Sequence, residues 1–235
     1  MILKKDIEEI KCNKCYDTGW IKTDEGVVRC DCKEKEYQKK ANILMNIPKR
    51  YADATFENFR PISEEQKKAK NISQEYVYEN DYKKGKGLFF YGKPGVGKTH
   101  LAVAILKEFY KTRNIIGFFY DARILMNDLK SAFDVSSSNK DLLQRVIKTP
   151  ILVLDDFGSE RLTDWARDII NYIIASRYNE ELPIIITSNI QIEAKENPEQ
   201  LRERIGESIT SRLLHMCEFI EVAGEDYRML GKAKD

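Results

Sequence analysis

Eight consecutive residues, Gly92-Lys93-Pro94-Gly95-Val96-Gly97-Lys98-Thr99, fit the pattern G-x-x-x-x-G-K-[ST]. Glycines here let the backbone curl so that successive N–H groups converge on one point, at the positive end of the helix that follows. Phosphate oxygens are what such a point attracts. Lys98 is then within reach of the β- and γ-phosphates of ATP, and the Thr99 hydroxyl is placed to take one position on Mg2+. The flanks have the order this loop requires. Gly87-Leu88-Phe89-Phe90-Tyr91 reads as a strand before it, and Leu101, Ala104, Ile105 and Phe109 recur at helical spacing after it. His100 fits the surface or packing of that helix and is left out of the chemistry.

A phosphate loop needs a carboxylate nearby to hold the metal. Ile151-Leu152-Val153-Leu154-Asp155-Asp156 supplies two, at the end of four apolar residues that read as a buried strand. Asp155 is the expected magnesium partner, and Asp156 is placed to polarise an attacking water as general base. A carboxylate pair at a strand end also occurs in helix-capping turns, which is the plainer alternative. Leu182-Pro183-Ile184-Ile185-Ile186-Thr187-Ser188-Asn189 repeats the arrangement, and its terminal Asn189 has the chemistry to bond a γ-phosphate or the lytic water.

Metal chemistry of another kind is written into the first 32 residues, which hold four of the five cysteines: Cys12-x2-Cys15, fourteen residues, then Cys30-x-Cys32. Two close thiolate pairs around a short hairpin suit a tetrahedral Zn2+. Trp20-Ile21-Lys22-Thr23 and Val27-Val28-Arg29 read as the two strands of that hairpin. So small a unit folds only with help from a metal. A redox Cys-x-x-Cys or unrelated thiols are the other readings. Cys217, in the apolar stretch Leu213-Leu214-His215-Met216-Cys217, reads as a small buried hydrophobe.

The elements that must position these groups follow from periodicity. Strand patterns at 87–91, 115–120, 151–154 and 182–187 alternate with helical patterns at 100–112, 122–133, 141–148 and 164–178. That alternation predicts an α/β fold, a parallel sheet flanked by helices on both faces, with ligands at the carboxyl ends of the strands. Lys33 to Asn46 reads as a charged helix with a narrow stripe of Tyr37, Ala41 and Leu44, either a solvated connector or a docking helix for a partner. Ile47-Pro48 then breaks it. The expected division is a zinc-binding module and connecting helix over 1–46, and an ATPase domain over 47–235.

Composition narrows the function classes. Lys+Arg is 39 against Asp+Glu 38, a net charge of +1, so the chain cannot hold DNA or a membrane by bulk charge and any nucleic-acid contact must be local. At 42% hydrophobic and 10% aromatic it can bury a sizeable core. No apolar run approaches a membrane span, and Met1-Ile2-Leu3-Lys4-Lys5-Asp6 lacks the pattern of a signal or transit peptide. A cytoplasmic protein is expected.

In this order the motifs resemble one group, the AAA+ ATPases of the DnaC/DnaI helicase-loader type, with IstB-like transposition ATPases as relatives. The resemblance spans nearly the whole chain. It rests on Cys12-x-x-Cys15-x-Asp17-Thr18-Gly19 with Cys30-x-Cys32, Ile47-Pro48-Lys49-Arg50-Tyr51, Ala54-Thr55-Phe56-Glu57-Asn58-Phe59, Gly97-Lys98-Thr99-His100-Leu101-Ala102, Asp155-Asp156-Phe157-Gly158, Arg177-Tyr178, Thr187-Ser188-Asn189, Ser211-Arg212 and Tyr227-Arg228.

The resemblance implies an ATP-dependent loader of a DnaB-type replicative helicase onto single-stranded DNA, self-associating into a ring or helical oligomer when ATP is bound. The zinc module and the helix at 33–45 would grip the helicase. Asn189 looks like the family's sensor, Arg212 like an arginine finger acting on the neighbouring subunit, and Arg228 like a second sensor on its own nucleotide. From sequence alone both arginines also fit surface salt bridges. The chain stops soon after Arg228, without room for a helical lid, and Asp156 stands where vigorous AAA+ enzymes carry Glu, so slow turnover is expected. The expected DNA contact is the region 123–140, with Arg123, Lys130 and Phe133; an ordinary packed helix and solvent loop fits it equally well. Two other functions stay open: an IstB-like transposition ATPase, and a nucleotide-switched interaction protein with little hydrolysis.

Overall fold

The structure, a computed structural model, describes residues 11–24, 26–79, 81–134, 139–159, 163–190 and 199–230. Part of the expected DNA-contact loop (135–138) lies outside the described residues.

A hairpin opens the chain, β1 (Trp20–Thr23) antiparallel to β2 (Gly26–Arg29), followed by α1 (Asp31–Leu44). Then come α2 (Glu64–Tyr78), β3 (Gly87–Tyr91), α3 (Lys98–Arg113), β4 (Phe118–Asp121), α4 (Ala122–Asp134), α5 (Asn139–Lys148) and β5 (Leu152–Asp155). The last elements are α6 (Asp164–Asn179), β6 (Ile184–Ser188), α7 (Glu199–Ile205), α8 (Glu207–Met216), β7 (Cys217–Glu221) and the short α9 (Tyr227–Leu230). Five strands form one parallel sheet in the order β4-β5-β6-β3-β7.

Residues of β3, β5 and β6 are buried throughout, because helices cover both faces of the sheet. The two faces take alternate residues. Leu88, Phe90, Val153 and Ile185 pack with Leu101, Ile105 and Phe109 of α3, while Phe89, Leu152, Leu154, Ile184 and Ile186 pack with Ile170, Ile173 and Ile174 of α6. The chain leaves β3 for the far edge, returns strand by strand to its side, then places β7 on its other side. That reversal puts the loop after β3 in the crevice at the strand ends. Among the described residues no helix is long and apolar enough to cross a membrane.

Two elements go beyond the expected alternation. Helix α2 is charged along most of its length, and its buried stripe is Gln66, Ala69, Ser73, Tyr76 and Val77, too polar for a periodicity argument. Its only strong local signal is the Ser63/Gln66 capping box. β7 is an edge strand with two buried positions, Cys217 and Ile220, three residues apart, so its pattern is weak as well.

Helix α1 is part of the core at its carboxyl end. Ala41, Met45 and Ile47 belong to the same buried cluster as α3. Tyr37 stacks on Tyr110 with ring centroids 4.6 Å apart. Beyond the helix, Phe119 N–H of β4 donates to Met45 O at 2.8 Å, and Asn46 Nδ2 donates to Phe119 O at 3.0 Å. Residues 45 and 46 thereby cover the open edge of the sheet.

Candidate functional site

The loop of residues 92–97 closes on itself as its glycines permit. Gly92 has φ +138°, and a Cβ there would lie 2.2 Å from Val222 O, so only glycine fits. The ammonium of Lys98, nearly buried, donates to Gly92 O at 2.8 Å, Lys93 O at 2.7 Å and Asn189 Oδ1 at 2.8 Å. Burial lowers its pKa to about 8, although Asp155 and Asp156 pull the other way.

Asp155 ends β5 almost buried, and one of its oxygens accepts both the Thr99 hydroxyl at 2.8 Å and the Thr187 hydroxyl at 2.6 Å. Burial raises its pKa and the two hydroxyls oppose the shift. A serine/threonine hydroxyl bonded to a carboxylate beside a phosphate loop is a donor set that suits Mg2+.

Asp156 follows with φ +54°, a left-handed conformation that Asp tolerates better than most residues. Its N–H donates to Thr187 Oγ1 at 3.0 Å, and Asn189 Nδ2 donates to its Oδ1 at 2.6 Å, as does the Ser159 hydroxyl. Arg123 Nη2 lies 3.0 Å from Asp156 Oδ2. A continuous line therefore runs from Lys98 through Asn189 and Asp156 to Arg123.

The cleft around these groups has a volume of about 790 Å3 and is also lined by Arg50, Tyr51, Phe59, Tyr227 and Arg228. It is large enough for a nucleotide and holds the converging polar groups expected of a ligand site. Of the residues read from sequence, the loop, Asp155, Asp156, Asn189 and Arg228 all come together here. Thr187, which bridges the two aspartates, was legible only as part of the string Thr187-Ser188-Asn189.

The other candidates lie elsewhere or in altered company. Arg123, expected beside Lys130 and Phe133 at a DNA contact, lines the same cleft as Asp155 and Asp156. As the second residue of α4 it emerges where β4 ends, level with Asp156. Lys130, two turns on, is exposed, and Phe133 lies on the same helix. Arg212 does not line its own cleft. On α8 it donates to Ser208 O at 3.0 Å, to the Ser208 hydroxyl, and to Asn171 Oδ1 at 3.5 Å. His100 accepts a packing role: its Nε2 is 2.8 Å from Thr55 O and its ring meets Phe59 edge-on. Cys217 is buried, as its apolar surroundings suggested.

Cys12, Cys15, Cys30 and Cys32 bring their sulfurs within 4.8 Å of one another. Sulfur separations are 3.7 Å for Cys12–Cys30 and 3.3 Å for Cys15–Cys32, too long for disulfides. Tetrahedral Zn–S bonds of about 2.3 Å require sulfurs about 3.8 Å apart, so the cluster fits a zinc ion with little adjustment. Gly19 N–H donates to Cys15 Sγ at 3.3 Å, a contact that favours thiolate. Backbone N–H groups of Cys15 and Lys14 lower Cys12 to about 7, whereas the Cys15 thiol pushes Cys32 upward. Thiols this close do not all ionise without a cation among them.

Comparison with known proteins agrees with this geometry. The family model "IstB-like ATP binding protein" matches residues 21–235. The replicative helicase loader DnaI of Bacillus subtilis (strain 168) is 30% identical, over 85% of this chain and 67% of that protein. An ATP-binding protein of insertion sequence IS5376 from Geobacillus stearothermophilus is 33% identical, over 62% of this chain and 56% of that protein. A crystal structure of the DnaC helicase loader superimposes with a TM-score of 0.69 and 40% identity, covering 75% of this chain and all of that one. The sheet order, the phosphate loop and these matches lead to one assignment: the chain belongs to the IstB-like ATP-binding protein family, with a P-loop AAA+ core homologous to the DnaI and DnaC loaders.

Proposed function

We propose that this chain loads a hexameric DnaB-type replicative helicase onto single-stranded DNA, holding ATP at subunit interfaces and hydrolysing it to release the helicase. The observation that carries the reading is the 40% identity to the DnaC helicase loader across three quarters of the chain. The loop 92–99 would hold the phosphates, with Thr99 and Asp155 toward Mg2+. Asp156 would orient and deprotonate the attacking water, Asn189 would sense the γ-phosphate, and Arg228 would meet the nucleotide of its own subunit. Arg212 would act on the next subunit's nucleotide. Lys130 and Phe133 would remain for single-stranded DNA, with Arg123 engaged at Asp156. The cysteine module and the exposed side of α1 would face the helicase.

Native mass spectrometry of the full chain mixed with the DnaB-type helicase of its own source tests this. A defined complex whose abundance depends on ATP–Mg2+ is expected. No complex in any nucleotide state, from protein that keeps its metal and binds ATP, would overturn the loader role. The second reading, a transposition ATPase, is favoured by the 33% identity to the insertion-sequence protein, and a complex with a transposase in the same experiment would select it.

Zinc at the cysteine cluster makes a separate expectation. A strong chelator should release about one zinc per chain and collapse the hairpin, because the metal supplies most of the stability of so small a unit. Trp20 fluorescence should change while the main thermal transition of the core shifts little. Retention of the hairpin signal after complete metal removal would show that burial alone folds it.

A further inference from the structure

We propose that Gln66 is a positioning residue for the phosphate loop, and that through it docking of residues 224–228 and nucleotide binding reinforce one another. This rests on the reading of the cleft as an ATP site.

Gln66 is fully buried at the third position of α2, where an amide must satisfy both its ends. Its Oε1 accepts Ile62 N–H at 2.7 Å and Ser63 N–H at 3.2 Å. Backbone N–H groups only donate, so the amide's orientation is fixed and Nε2 must face the other way. There it donates to Val96 O at 3.2 Å.

Val96 lies inside the phosphate loop and is itself buried. A peptide unit is planar and trans, so its C=O and the following N–H point in opposite directions. Tying Val96 O outward to Gln66 therefore fixes the direction of Gly97 N–H, on the opposite side of that peptide. Loops that bind phosphate depend on N–H groups held in place beforehand.

The C-terminal segment lies against the same amide. Gly224 passes so close that a Cβ there would come within 2.7 Å of Gln66 Nε2. The Tyr227 hydroxyl reaches Gln66 Oε1 at 3.2 Å and Arg60 O at 2.5 Å. Tyr227 N–H donates to Gly95 O at 3.1 Å, so the residue before Arg228 is bonded to the loop directly. Ser63, which caps α2, also donates to Ala223 O at 2.5 Å. One buried amide thus joins the start of α2, the loop peptide 96–97 and the segment that carries Arg228. If that segment stiffens the loop, a nucleotide in the loop must stiffen the segment by the same factor.

The test titrates fluorescent ADP with Mg2+ into the full chain and its variants, with thermal unfolding of the nucleotide-free proteins as the folding control. Gln66→Met, similar in size but without hydrogen bonds, should bind about tenfold more weakly. Gln66→Glu keeps the acceptor for Ile62 and Ser63 and loses only the donor to Val96. Its deficit at about pH 8.5 should shrink toward pH 6, where a protonated buried carboxyl again donates. A packing role would not produce that recovery. Amide exchange at residues 224–230 should slow when ADP binds to the unaltered chain but not to Gln66→Met.

Binding by folded Gln66→Met within twofold of the unaltered chain, or a Gln66→Glu deficit equal at both pH values, overturns the proposal. Should Gln66→Met fail to fold, Tyr227→Phe carries the test. Removal of its one hydroxyl should weaken ADP binding about two- to fivefold and diminish the protection of 224–230; no change in either overturns the coupling. Absence of ADP and ATP binding by the unaltered chain is a different result, which overturns the ATP-site reading itself.

Discussion

Arg212→Ala is expected to lower ATP turnover by about a thousandfold or more while leaving ATP affinity nearly unchanged, as for an arginine finger supplied by a neighbouring subunit. Arg212 is held on α8 by Ser208 and Asn171, and among the described residues its hydrogen bonds go to neutral acceptors. Such contacts orient a guanidinium without neutralising it. The cleft of its own chain is built without it. Under the proposed function its charge would act on another subunit's nucleotide brought up to α8. The decisive measurement is turnover in mixtures. Arg212→Ala subunits keep an intact cleft, and Asp156→Asn subunits keep the arginine. Mixing the two inactive variants should restore activity, and a steady-state assay that finds none, or finds Arg212→Ala fully active alone, would remove the trans role.

Arg177→Ala is expected to cost about 4 kcal/mol of folding stability, the largest single effect foreseen for a residue outside the site. Arg177 is completely buried on α6. Its guanidinium donates to Val146 O and Ile147 O at 3.0 Å, Thr149 O at 2.9 Å and Pro183 O at 2.6 Å. Val146, Ile147 and Thr149 present orphan carbonyls at the end of α5, while Pro183 O, just before β6, also accepts Leu152 N–H at a long 3.4 Å. Burial lowers the guanidinium pKa to about 9, which leaves the group charged at neutral pH. Removing it strands the three carbonyls at the end of α5 away from water and leaves Pro183 O with its long bond from Leu152, and a lysine has neither the fork nor the reach to replace it. Urea unfolding of Arg177→Ala and Arg177→Lys should show both destabilised. A loss under about 1 kcal/mol would mean that the carbonyls find other donors.

The same contrast between local and distant partners explains how much of the molecule could be read beforehand. The strand–loop–helix around Gly92–Thr99 was legible because each part is local: a buried strand, glycines at a turn, and an apolar helical stripe. Asp155, beside the phosphate loop, was legible because it ends an apolar run, and the cysteine cluster because its spacing is short. Helix α2 escaped notice because the residues it buries include Gln66 and Ser73. A polar residue is buried only when partners from elsewhere satisfy it, and a window of sequence contains none of them. The charge of Arg123 and its sequence neighbours suggest a DNA contact and say nothing of Asp156. Its ion pair with Asp156, 33 residues away, required β4 and β5 to be adjacent and in register.

The sequence by itself determined the elements and the chemistry each strand end carries, since periodicity, glycine placement and ligand spacing act over a few residues. Tertiary structure decided which of those ends meet. It set Asn189 between Lys98 and Asp156, placed Thr187 between two aspartates, and laid residues 224–228 on the phosphate loop. It also drew α1 into the core. Strand order and register are long-range choices settled by the packing of whole faces, and polar side chains take the partners that this packing leaves within about 3 Å.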